Sequence, residues 1–427
     1  MDACCVKRGV RPTVVSHWLA VTELQRIVDS LAGVTRMPVS VHDRGRRLLA
    51  FSSHDGDIDE VRKESILTRR GPMRGFEWAR TFGIETSEVP VRVPANADIG
   101  MTARICAPAR LDGRLLGYLW LADPDETLAD THLDLIRSTA DSVALAIHHL
   151  ELAEEIDRGR ERELLRDLLS DQDDVRQHAV DELLASALLV PAPLTVVMCA
   201  RPMLGREAMT AKDAKVRTRL ERALARARGR ASPRQALHLV RPDHGVLLVT
   251  CGTSERRRLD EIASELHALL SGSLDGDWKA VVGIGDAQDD LAKAHIAYAQ
   301  ARKAADVCGV LNPAGPILRW SELGVYRTLL QLPLSDVNVR DLHPGLGSLF
   351  ASKEAGVWLK TLECYLDLGC DARAAARVLH INRSSLYHRV HRIEQIAAVD
   401  LTNGDDRLAL HLGLKLARLS GLLQPVS

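Results

Sequence analysis

The chain has 427 residues, of which 46% are hydrophobic and 26% are charged, so it is long enough for two to four ordinary soluble domains. Its net charge of −1 excludes a uniformly basic nucleic-acid coat, although a local basic patch remains compatible with it. No apolar run reaches the roughly 18 residues of a membrane-spanning helix, and the N-terminus lacks an apolar secretion signal. We therefore expect a cytoplasmic protein with no membrane partner.

The cysteines show no metal-binding pattern. None of the eight forms a CxxC pair, and none has zinc-site spacing with a histidine. Cys106, Cys199 and Cys251 lie in β-like runs, where we expect small buried apolar side chains. We predict no cofactor and no metal site. A redox role stays open for two further pairs, Cys4 with Cys5 and Cys364 with Cys370.

Residues 1–16 are expected to form a disordered tail, and residues 17–150 a sensor domain. Apolar residues at helical spacing predict a helix over residues 18–31, followed by two strands joined at Asp43-Arg44-Gly45. A short helix near "GFEWARTFG" precedes further strands, which include a hairpin at Asp112-Gly113. This order predicts an α+β module with one antiparallel sheet.

The stretch "ICAPARLDGRLLGYLWL" resembles the closing hairpin of a GAF domain, which follows the rhythm I-x-x-x-G-x-L-x-G. The corresponding positions here are Ala109, Gly113, Leu115 and Gly117. The resemblance implies either a pocket for a small-molecule effector or a domain that binds nothing and only dimerises. Such a pocket would be walled by the sheet, by "FEWARTFG" and by the loop "PANADIG". The sequence does not identify its ligand or its ligand-binding residues.

A long helix is predicted from about Thr127. After a first step of three, the spacing of its apolar residues alternates between four and three, as in a heptad repeat; they are Leu133, Ile136, Ala140, Val143, Ile147 and Leu150. This stripe either packs the helix onto its own domain or forms a dimer seam, and the sequence leaves both open. Residues 151–189 are expected to be a helical linker.

Residues 190–332 show the element order β-α-β-β-α-β-α, which predicts a ferredoxin-like sheet with helices on one face. The stretch "VVGIGD" and the alanines that follow it resemble the degenerate GGDEF-like domain of PucR/CdaR-type regulators. A nucleotide cyclase needs carboxylates on its central hairpin to hold Mg²⁺ against a triphosphate. Here the turn is "RPDHG", and we interpret Asp243 and His244 as plain turn residues. We expect no catalytic residues and no enzyme; the alternative is a nucleotide-cyclase-like or cyclic-dinucleotide enzyme or binding protein.

Residues 333–427 are predicted to be all-helical. A helix ends at Gly369, Asp371 caps a second, alanine-rich helix, and Asn382 caps a third helix over residues 383–397. Two helices joined by about three residues, the second of them basic, form a helix-turn-helix. A leucine-rich last helix over residues 405–419 is expected to be buried.

The basic helix is suited to a phosphate backbone. Residues 372–393 contain five arginines and no acidic residue, while Leu386 and Ile393 can pin the helix to an apolar base. An ordinary solvated face, or a helix-turn-helix that contacts protein, is the alternative. Metal binding by His380, His388 and His391 is disfavoured, because no carboxylate or cysteine completes a ligand set nearby.

The stretches "TLECYLD", "AAARVLHINRSSLYHRVHRIE" and "DDRLALHLGLKL" are similar to the C-terminal helix-turn-helix of the PucR family. The resemblance implies the fold of that domain and a role as a sequence-specific transcription regulator. Positions that match the family pattern are Arg383, Ser385, Leu386, Arg389, Arg392 and Ile393. The chain departs from it at Ser384 and His388, where the family usually has Asn and Tyr, so base preference at the first of these is not transferable.

Residues at the start of a recognition helix face base edges, so Arg383, Ser384 and Ser385 are predicted to contact bases. Arg389, Arg392 and Arg373 suit phosphate contacts. Expected partners are double-stranded DNA and a second copy of the chain, in a homodimer or higher homo-oligomer. We expect an effector or partner of the sensor domain to change the spacing of two such modules. The full predicted DNA-binding set is Arg373, Asn382, Arg383, Ser384, Ser385, Tyr387, His388, Arg389, His391 and Arg392.

Overall fold

The computed structural model describes residues 12–53, 58–204, 207–208, 214–272, 278–308, 315–331 and 343–423. It divides into two compact units, Met1–Arg160 and Glu161–Ser427, each with its own sheet. Residues 1–11 of the predicted tail, with Cys4 and Cys5, lie outside the described residues. Residues 12–16 of that tail belong to the first helix.

The first unit is built on a five-stranded antiparallel sheet, ordered β2-β1-β5-β4-β3. The sheet confirms the predicted α+β module. Asp112 and Gly113 both have positive φ at the β4–β5 turn, as the two-residue hairpin loop requires. The elements in chain order are α1 (Pro12–Thr35), β1 (Val39–Asp43), β2 (Leu48–Phe51), α2 (Glu60–Thr68), α3 (Met73–Arg80), β3 (Val91–Val93), β4 (Arg104–Leu111), β5 (Arg114–Ala122) and α4 (Leu133–Leu168).

Helix α4 packs its predicted heptad stripe onto its own sheet. Ile136, Ala140, Val143 and Ile147 are buried in one core with residues of α1, β1 and β5. The first of the two interpretations of this stripe is therefore correct. A second stripe on α4 also alternates by three and four residues, and all of it is exposed; it consists of Leu135, Ser138, Ser142, Leu145, His149, Leu152 and Ile156.

The second unit contains a six-stranded sheet with the order β11-β10-β6-β9-β8, in which β7 pairs with β6. Strands β10 and β11 are parallel, and the other pairs are antiparallel. The elements are α5 (Asp173–Ala185), β6 (Leu194–Leu204), β7 (Glu207–Ala208), α6 (Ala214–Arg228), β8 (Ala236–Val240), β9 (Gly245–Cys251), α7 (Arg256–Ser271), β10 (Trp278–Ile284), α8 (Ala294–Cys308) and β11 (Ile317–Arg319).

Helices cover both faces of this sheet, so the prediction of helices on one face is wrong. Val196 and Met198 of β6 share a core with α6 and α7. Val197 and Cys199, which point to the opposite face, share cores with α8. The physical reason is that residues 196–200 of β6 are all apolar and buried, and a strand of that kind needs cover on two sides.

The segment predicted as a helical linker is helical, but it is not a free connection. Leu164, Leu165 and Leu168, at the end of α4, are buried together with Leu183 of α5. The same core contains Val197 of β6. From Leu164 onwards, therefore, the segment contributes to the core of the second unit.

Gly283 in β10 and Gly285 just after it allow α8 to approach the sheet closely. A Cβ atom added at Gly283 would lie 2.0 Å from the Ala301 carbonyl oxygen, and one at Gly285 would lie 2.1 Å from that of Ala297. The "GIG" stretch is thus a packing feature, because only hydrogen fits between the strand and the helix backbone.

We expect Gly283→Ala to destabilise the second unit by about 1–3 kcal/mol, since the methyl group has no space beside the α8 backbone. Gly159→Ala is the matched control, because no atom lies within 4 Å of its added Cβ on α4. That replacement should be neutral or should stabilise by up to about 1 kcal/mol. Urea denaturation followed by circular dichroism measures both, and equal midpoints for the two variants would contradict the packing argument.

The C-terminal helices complete the second unit. They are α9 (Tyr326–Leu329), α10 (Pro344–Ala351), α11 (Ala355–Asp367), α12 (Ala372–Val378), α13 (Arg383–Ala397) and α14 (Gly404–Leu419). The all-helical prediction for residues 333–427 is confirmed over the described residues 343–423. The expectation that α14 is buried holds for Leu410, Leu414 and Leu416 but is wrong for Leu408, which is 60% exposed. A sixteen-residue helix at the surface of a small bundle leaves one side in solvent.

Cys106, Cys199 and Cys251 are buried in β4, β6 and β9, as predicted. Burial raises the pKa of the Cys364 thiol, which disfavours the reactive thiolate form, and Cys370 is half-buried. Among the described helices, none is long and apolar enough to cross a membrane.

Candidate functional site

Both caps of the predicted helix-turn-helix are present. The Asp371 carboxylate accepts hydrogen bonds from the backbone N–H groups of Arg373 (2.8 Å) and Ala374 (3.1 Å) at the start of α12. The Asn382 side-chain oxygen accepts one from the N–H of Ser385 (2.7 Å) at the start of α13. Each cap satisfies backbone donors that a helix start leaves unpaired, which fixes where the two helices begin.

The turn between α12 and α13 is tight. His380 adopts a left-handed conformation with φ of +54°, and the N–H of Ile381 donates to the Ala376 carbonyl at 3.0 Å. This arrangement ends α12 and redirects the chain. Beneath the turn, Ala375 and Ala376 are buried with Leu386 of α13. Small side chains on α12 therefore let α13 approach closely, as the alanine-rich sequence predicted.

One face of α13 is open to solvent along most of its length. Its exposed residues come in adjacent pairs every four positions, while Leu386 and Ile393 on the other side are completely buried. The pairs form a single continuous surface because four residues are about one helical turn. We call this surface the α13 face; it consists of Arg383, Ser384, Tyr387, His388, His391 and Arg392.

The remaining predicted residues lie at the edge of the α13 face. Arg373 and Asn382 are exposed, and Ser385 is half-buried. Arg389 is also half-buried, and its Nη1 lies 3.4 Å from the buried hydroxyl of Thr361 on α11. Its guanidinium group is thus partly engaged with protein, unlike that of Arg383.

Partners within α13 hold two of the exposed side chains. The Arg392 guanidinium donates to the Gln395 amide oxygen at 3.0 Å. His391 lies 3.1 Å from the Gln395 amide nitrogen and 3.7 Å from the Glu394 carboxylate. These contacts lie at the surface, where a phosphate can replace them at little cost.

Two further basic side chains of the helix-turn-helix are absent from the predicted DNA-binding set. Arg377 is exposed in the last turn of α12, four residues after Arg373, and His380 is exposed in the turn. Arg377 could have been predicted from its spacing to Arg373, because residues four apart lie on the same face of a helix.

The middle-domain turn is more than a plain turn, which corrects the interpretation of His244. Its side chain is only 2% exposed, and its two ring nitrogens lie 2.7 Å from the Asp243 carboxylate and 2.8 Å from the Tyr298 hydroxyl. Burial lowers the pKa of His244, although Asp243 opposes that shift. Arg201 of β6 contacts both Asp243 and Asp306. The network joins the β8–β9 turn to α8, which explains why a buried polar residue occupies this turn.

Metal ligation finds no support in the described part of the chain, where no group of three or more His, Cys, Asp or Glu side chains is placed to hold an ion.

The first unit contains a cavity between its sheet and helices α2 and α3. Phe76 of "FEWARTFG" and Trp120 of the sheet line it, as predicted. The loop "PANADIG" does not; Met101, the residue after it, and Arg62 of α2 occupy that position instead. The sequence did not predict that α2 lines the cavity, because its residues are mostly charged or polar. Val61, Arg62 and Ser65 are nevertheless buried in the structure.

His42 lies in this cavity, and burial, together with the nearby charges of Arg104 and Arg62, lowers its pKa to about 3. An unfolded histidine has a pKa near 6.5, so the unfolded state binds a proton first as the pH falls. The first unit should therefore lose about 1.4 kcal/mol of stability per pH unit below about 6.5 because of this residue. Hydrogen exchange of β1 and β5 amides measures the stability of the first unit at each pH. We expect this stability to fall less between pH 6.5 and lower pH in His42→Gln than in the wild-type protein. Exposed His178 on α5, replaced in the same way, should leave that profile unchanged.

Comparison with known proteins is consistent with this geometry. The PucR C-terminal helix-turn-helix domain matches residues 358–416, and the GGDEF-like domain matches residues 174–307. The proline-responsive transcriptional activator PutR of Bacillus subtilis (strain 168) is 24% identical over 413 residues, which is 93% of this chain and 97% of that protein. The DNA-binding transcriptional activator AdeR of the same organism is 19% identical over 405 residues, with 93% of each chain covered.

A solved structure, the regulator of polyketide synthase expression from Bifidobacterium adolescentis, is 16% identical with a TM-score of 0.29 and covers 62% of this chain and 94% of that chain. The family matches include α11 to α14 and most of the second sheet with its helices. The chain therefore contains a GGDEF-like domain followed by a PucR C-terminal helix-turn-helix domain, and it is similar over most of its length to two transcriptional activators.

Proposed function

We propose that the protein binds double-stranded DNA at specific sequences as a homodimer, through the α13 face, under the control of an effector or partner of its N-terminal domain. The observation that carries this proposal is the α13 face itself. A capped helix that is buried on one side and presents basic and polar residues along the other has the form of a recognition helix. Arg383 and Ser384, at its start, would contact base edges, and Arg392, together with Arg373 and Arg377, would contact phosphates.

The dimer contact in this proposal is the exposed stripe of α4. Leu145, Leu152 and Ile156 are large apolar side chains with 44–59% exposure, at positions that would form the seam of a two-stranded coiled coil. A second copy of the same helix satisfies such a stripe, because a heptad face is complementary to itself about a two-fold axis. Two α13 faces would then meet half-sites about one DNA turn, or a multiple of it, apart.

We assign residues 17–150 as a GAF-like sensor, 151–189 as its helical connection, 190–332 as a non-catalytic GGDEF-like domain and 333–427 as the DNA-binding domain. Binding of an effector in the first unit would alter the geometry of α4 and, with it, the spacing of the DNA-binding modules. Both relatives are named as activators, so activation is the effect on transcription to test first. DNA binding implies a cytoplasmic location.

Genome-wide footprinting of the full-length protein tests the DNA-binding function. The expected result is a small set of protected sites with two related half-sites. Protection that shows no sequence preference would leave only salt-dependent binding to the backbone and would contradict the proposal.

Light scattering tests the dimer contact. The wild-type protein should have twice the mass of one chain, and Leu145→Glu combined with Leu152→Glu should give monomers that bind the full operator poorly. Leu67→Glu is the matched control, because Leu67 is a 76% exposed leucine on α2, away from the stripe. A stripe variant that stays dimeric would exclude α4 as the contact.

A further inference from the structure

The cavity of the first unit contains buried cationic side chains. It is lined by Arg62 and Arg104, by polar Ser40, His42 and Ser65, and by apolar side chains that include Phe76, Met101 and Trp120. Arg62 is only 8% exposed, and Arg104 only 10% in its side chain. Positive charge at such depth is stable only when it is paired with an anion or with several hydrogen-bond acceptors.

Arg104 already has its anion. Its Nη2 pairs with the Asp59 carboxylate, and its Nε donates to the Thr102 carbonyl at 3.2 Å. Asp59 is fully used, because it also accepts hydrogen bonds from the Thr102 hydroxyl at 2.6 Å, the Thr102 backbone N–H at 3.1 Å and the backbone N–H of Arg62 at 2.7 Å. Asp59 therefore caps α2 and neutralises one of the two guanidinium groups.

Arg62 has no comparable partner among the described residues. Its Nη2 donates to the Ser52 carbonyl at 3.1 Å and to the Val39 carbonyl at 3.5 Å, and its Nε has no hydrogen-bond partner in the described part of the chain. Burial lowers the pKa of Arg62 to about 10, with a smaller contribution from repulsion by Arg104 that the charge of Asp59 opposes, so the group is still charged at neutral pH. Among the described residues, the two guanidinium groups thus share one carboxylate, and one positive charge next to the cavity lacks a carboxylate of its own.

Two further nitrogen atoms of the cavity wall have no hydrogen-bond partner in the described structure. They are Nε1 of Trp120, which can only donate, and Nδ1 of His42, whose Nε2 is 2.8 Å from the Ser65 hydroxyl. Both side chains are at most 5% exposed. Buried polar groups are rarely unpaired in native proteins, so three of them around one cavity suit the binding of a polar ligand.

We propose that this cavity binds a small monocarboxylate, whose carboxylate pairs with Arg62 and accepts a hydrogen bond from Trp120, and whose apolar part contacts Phe76 and Met101. A monocarboxylate supplies the single negative charge that the one unpaired guanidinium group needs. The cavity has about 30 Å³ of room for the centre of a water-sized molecule, so the ligand is compact. This assignment rests on the proposed sensing function, because it names the effector class of that domain.

Melting of the full-length protein with a series of carboxylates and their uncharged amides tests the proposal. The series is acetate, propionate, butyrate, pyruvate, lactate and benzoate. We expect at least one carboxylate to raise the melting temperature saturably while its amide does not. If no member of the series stabilises the protein, or if an amide stabilises it equally, the cavity does not take a monocarboxylate.

Variants locate the site. Arg62→Gln should weaken binding of the best carboxylate at least tenfold, Arg62→Lys should weaken it less, and Trp120→Phe, which removes only the indole N–H donor and some ring area, should have a smaller effect. Arg74→Gln is the matched control, since Arg74 is a half-exposed arginine on α3 that pairs with Glu64. Unchanged affinity in Arg62→Gln, measured by calorimetry on a protein with unaltered circular dichroism, would overturn the assignment of the carboxylate to Arg62.

A DNA-binding measurement separates this proposal from the proposed function. The protein is titrated onto its footprinted operator with and without the best carboxylate. If the carboxylate binds through Arg62 but does not change operator affinity or spacing, the cavity assignment stands and effector control of DNA binding fails. If DNA binding is specific and no carboxylate binds, the cavity assignment fails and the proposed DNA-binding function stands.

Discussion

Replacing Arg383 with alanine is expected to weaken binding to the specific DNA site about tenfold to a hundredfold, because a paired Arg–guanine contact is worth about 1–3 kcal/mol. Arg383 is the first residue of α13, directly after the Asn382 cap, and its side chain is exposed. The cap and the buried anchor at Leu386 do not depend on it. The free energy of unfolding should therefore stay within about 0.5 kcal/mol of wild type.

Fluorescence anisotropy with operator and mutated-operator DNA, at several salt concentrations, measures this effect. Arg383→Ala should relax sequence preference at one base position. Arg392→Ala should instead weaken binding to all sequences and reduce the salt slope by about one.

Arg257→Ala serves as the control for loss of an exposed arginine, because its side chain is 93% exposed on α7. If Arg383→Ala binds the operator with wild-type affinity, discrimination and salt slope, α13 does not read DNA through its first residue.

Replacing Glu363 with alanine is expected to destabilise the second unit by about 3–5 kcal/mol, because it removes the carboxylate from a buried ion pair. Glu363 of α11 and Arg418 of α14 are 4% and 6% exposed. The Arg418 Nε donates to the Glu363 carboxylate at 2.8 Å, and a second guanidinium nitrogen contacts its other oxygen. The hydrogen bonds that the Glu363 carboxylate accepts raise the pKa of Arg418. A guanidinium group is protonated at neutral pH even without such a partner, so Arg418 stays charged when Glu363 is removed.

Urea denaturation and hydrogen exchange of α11 and α14 measure the loss. The double variant Glu363→Met with Arg418→Met is the informative control, because replacing both charges by apolar groups of similar volume should recover most of the stability. A single variant as stable as wild type would mean that the pair does not hold α14 on α11. Since α13 rests on α11 and α10, specific DNA binding should fall together with stability in the single variant.

The elements of the fold followed from local signals. Asp371 and Asn382 were identified as caps from residue type alone, and both accept the expected backbone hydrogen bonds. Apolar runs predicted the strands of both sheets except β7 and β11, and the Asp112-Gly113 pair predicted a tight hairpin, since few residue pairs tolerate two positive φ values. These predictions succeeded because a turn or a cap is decided by neighbours in the chain.

Local sequence signals did not show which face of each element is buried. The heptad stripe of α4 supported two interpretations, and contact with α1, β1 and β5 decided for domain packing. His244 looked like a turn residue because nothing local predicts that Tyr298, 54 positions later, lies 2.8 Å from its ring. Arg389 matched the family pattern as well as Arg383 did, yet its guanidinium group contacts the hydroxyl of Thr361, 28 positions earlier.

The sequence by itself determined most of the order of elements, the helix-turn-helix and the concentration of arginine along it, because these depend on residue type and short-range spacing. Tertiary structure alone decided that α13 turns Arg383 outwards and Arg389 partly inwards, that α4 leaves a second apolar stripe in solvent, and that Arg62 is buried without a carboxylate in the described part of the first unit. The physical reason is that exposure and charge pairing are set by residues distant in the chain. Only their packing brings those residues together.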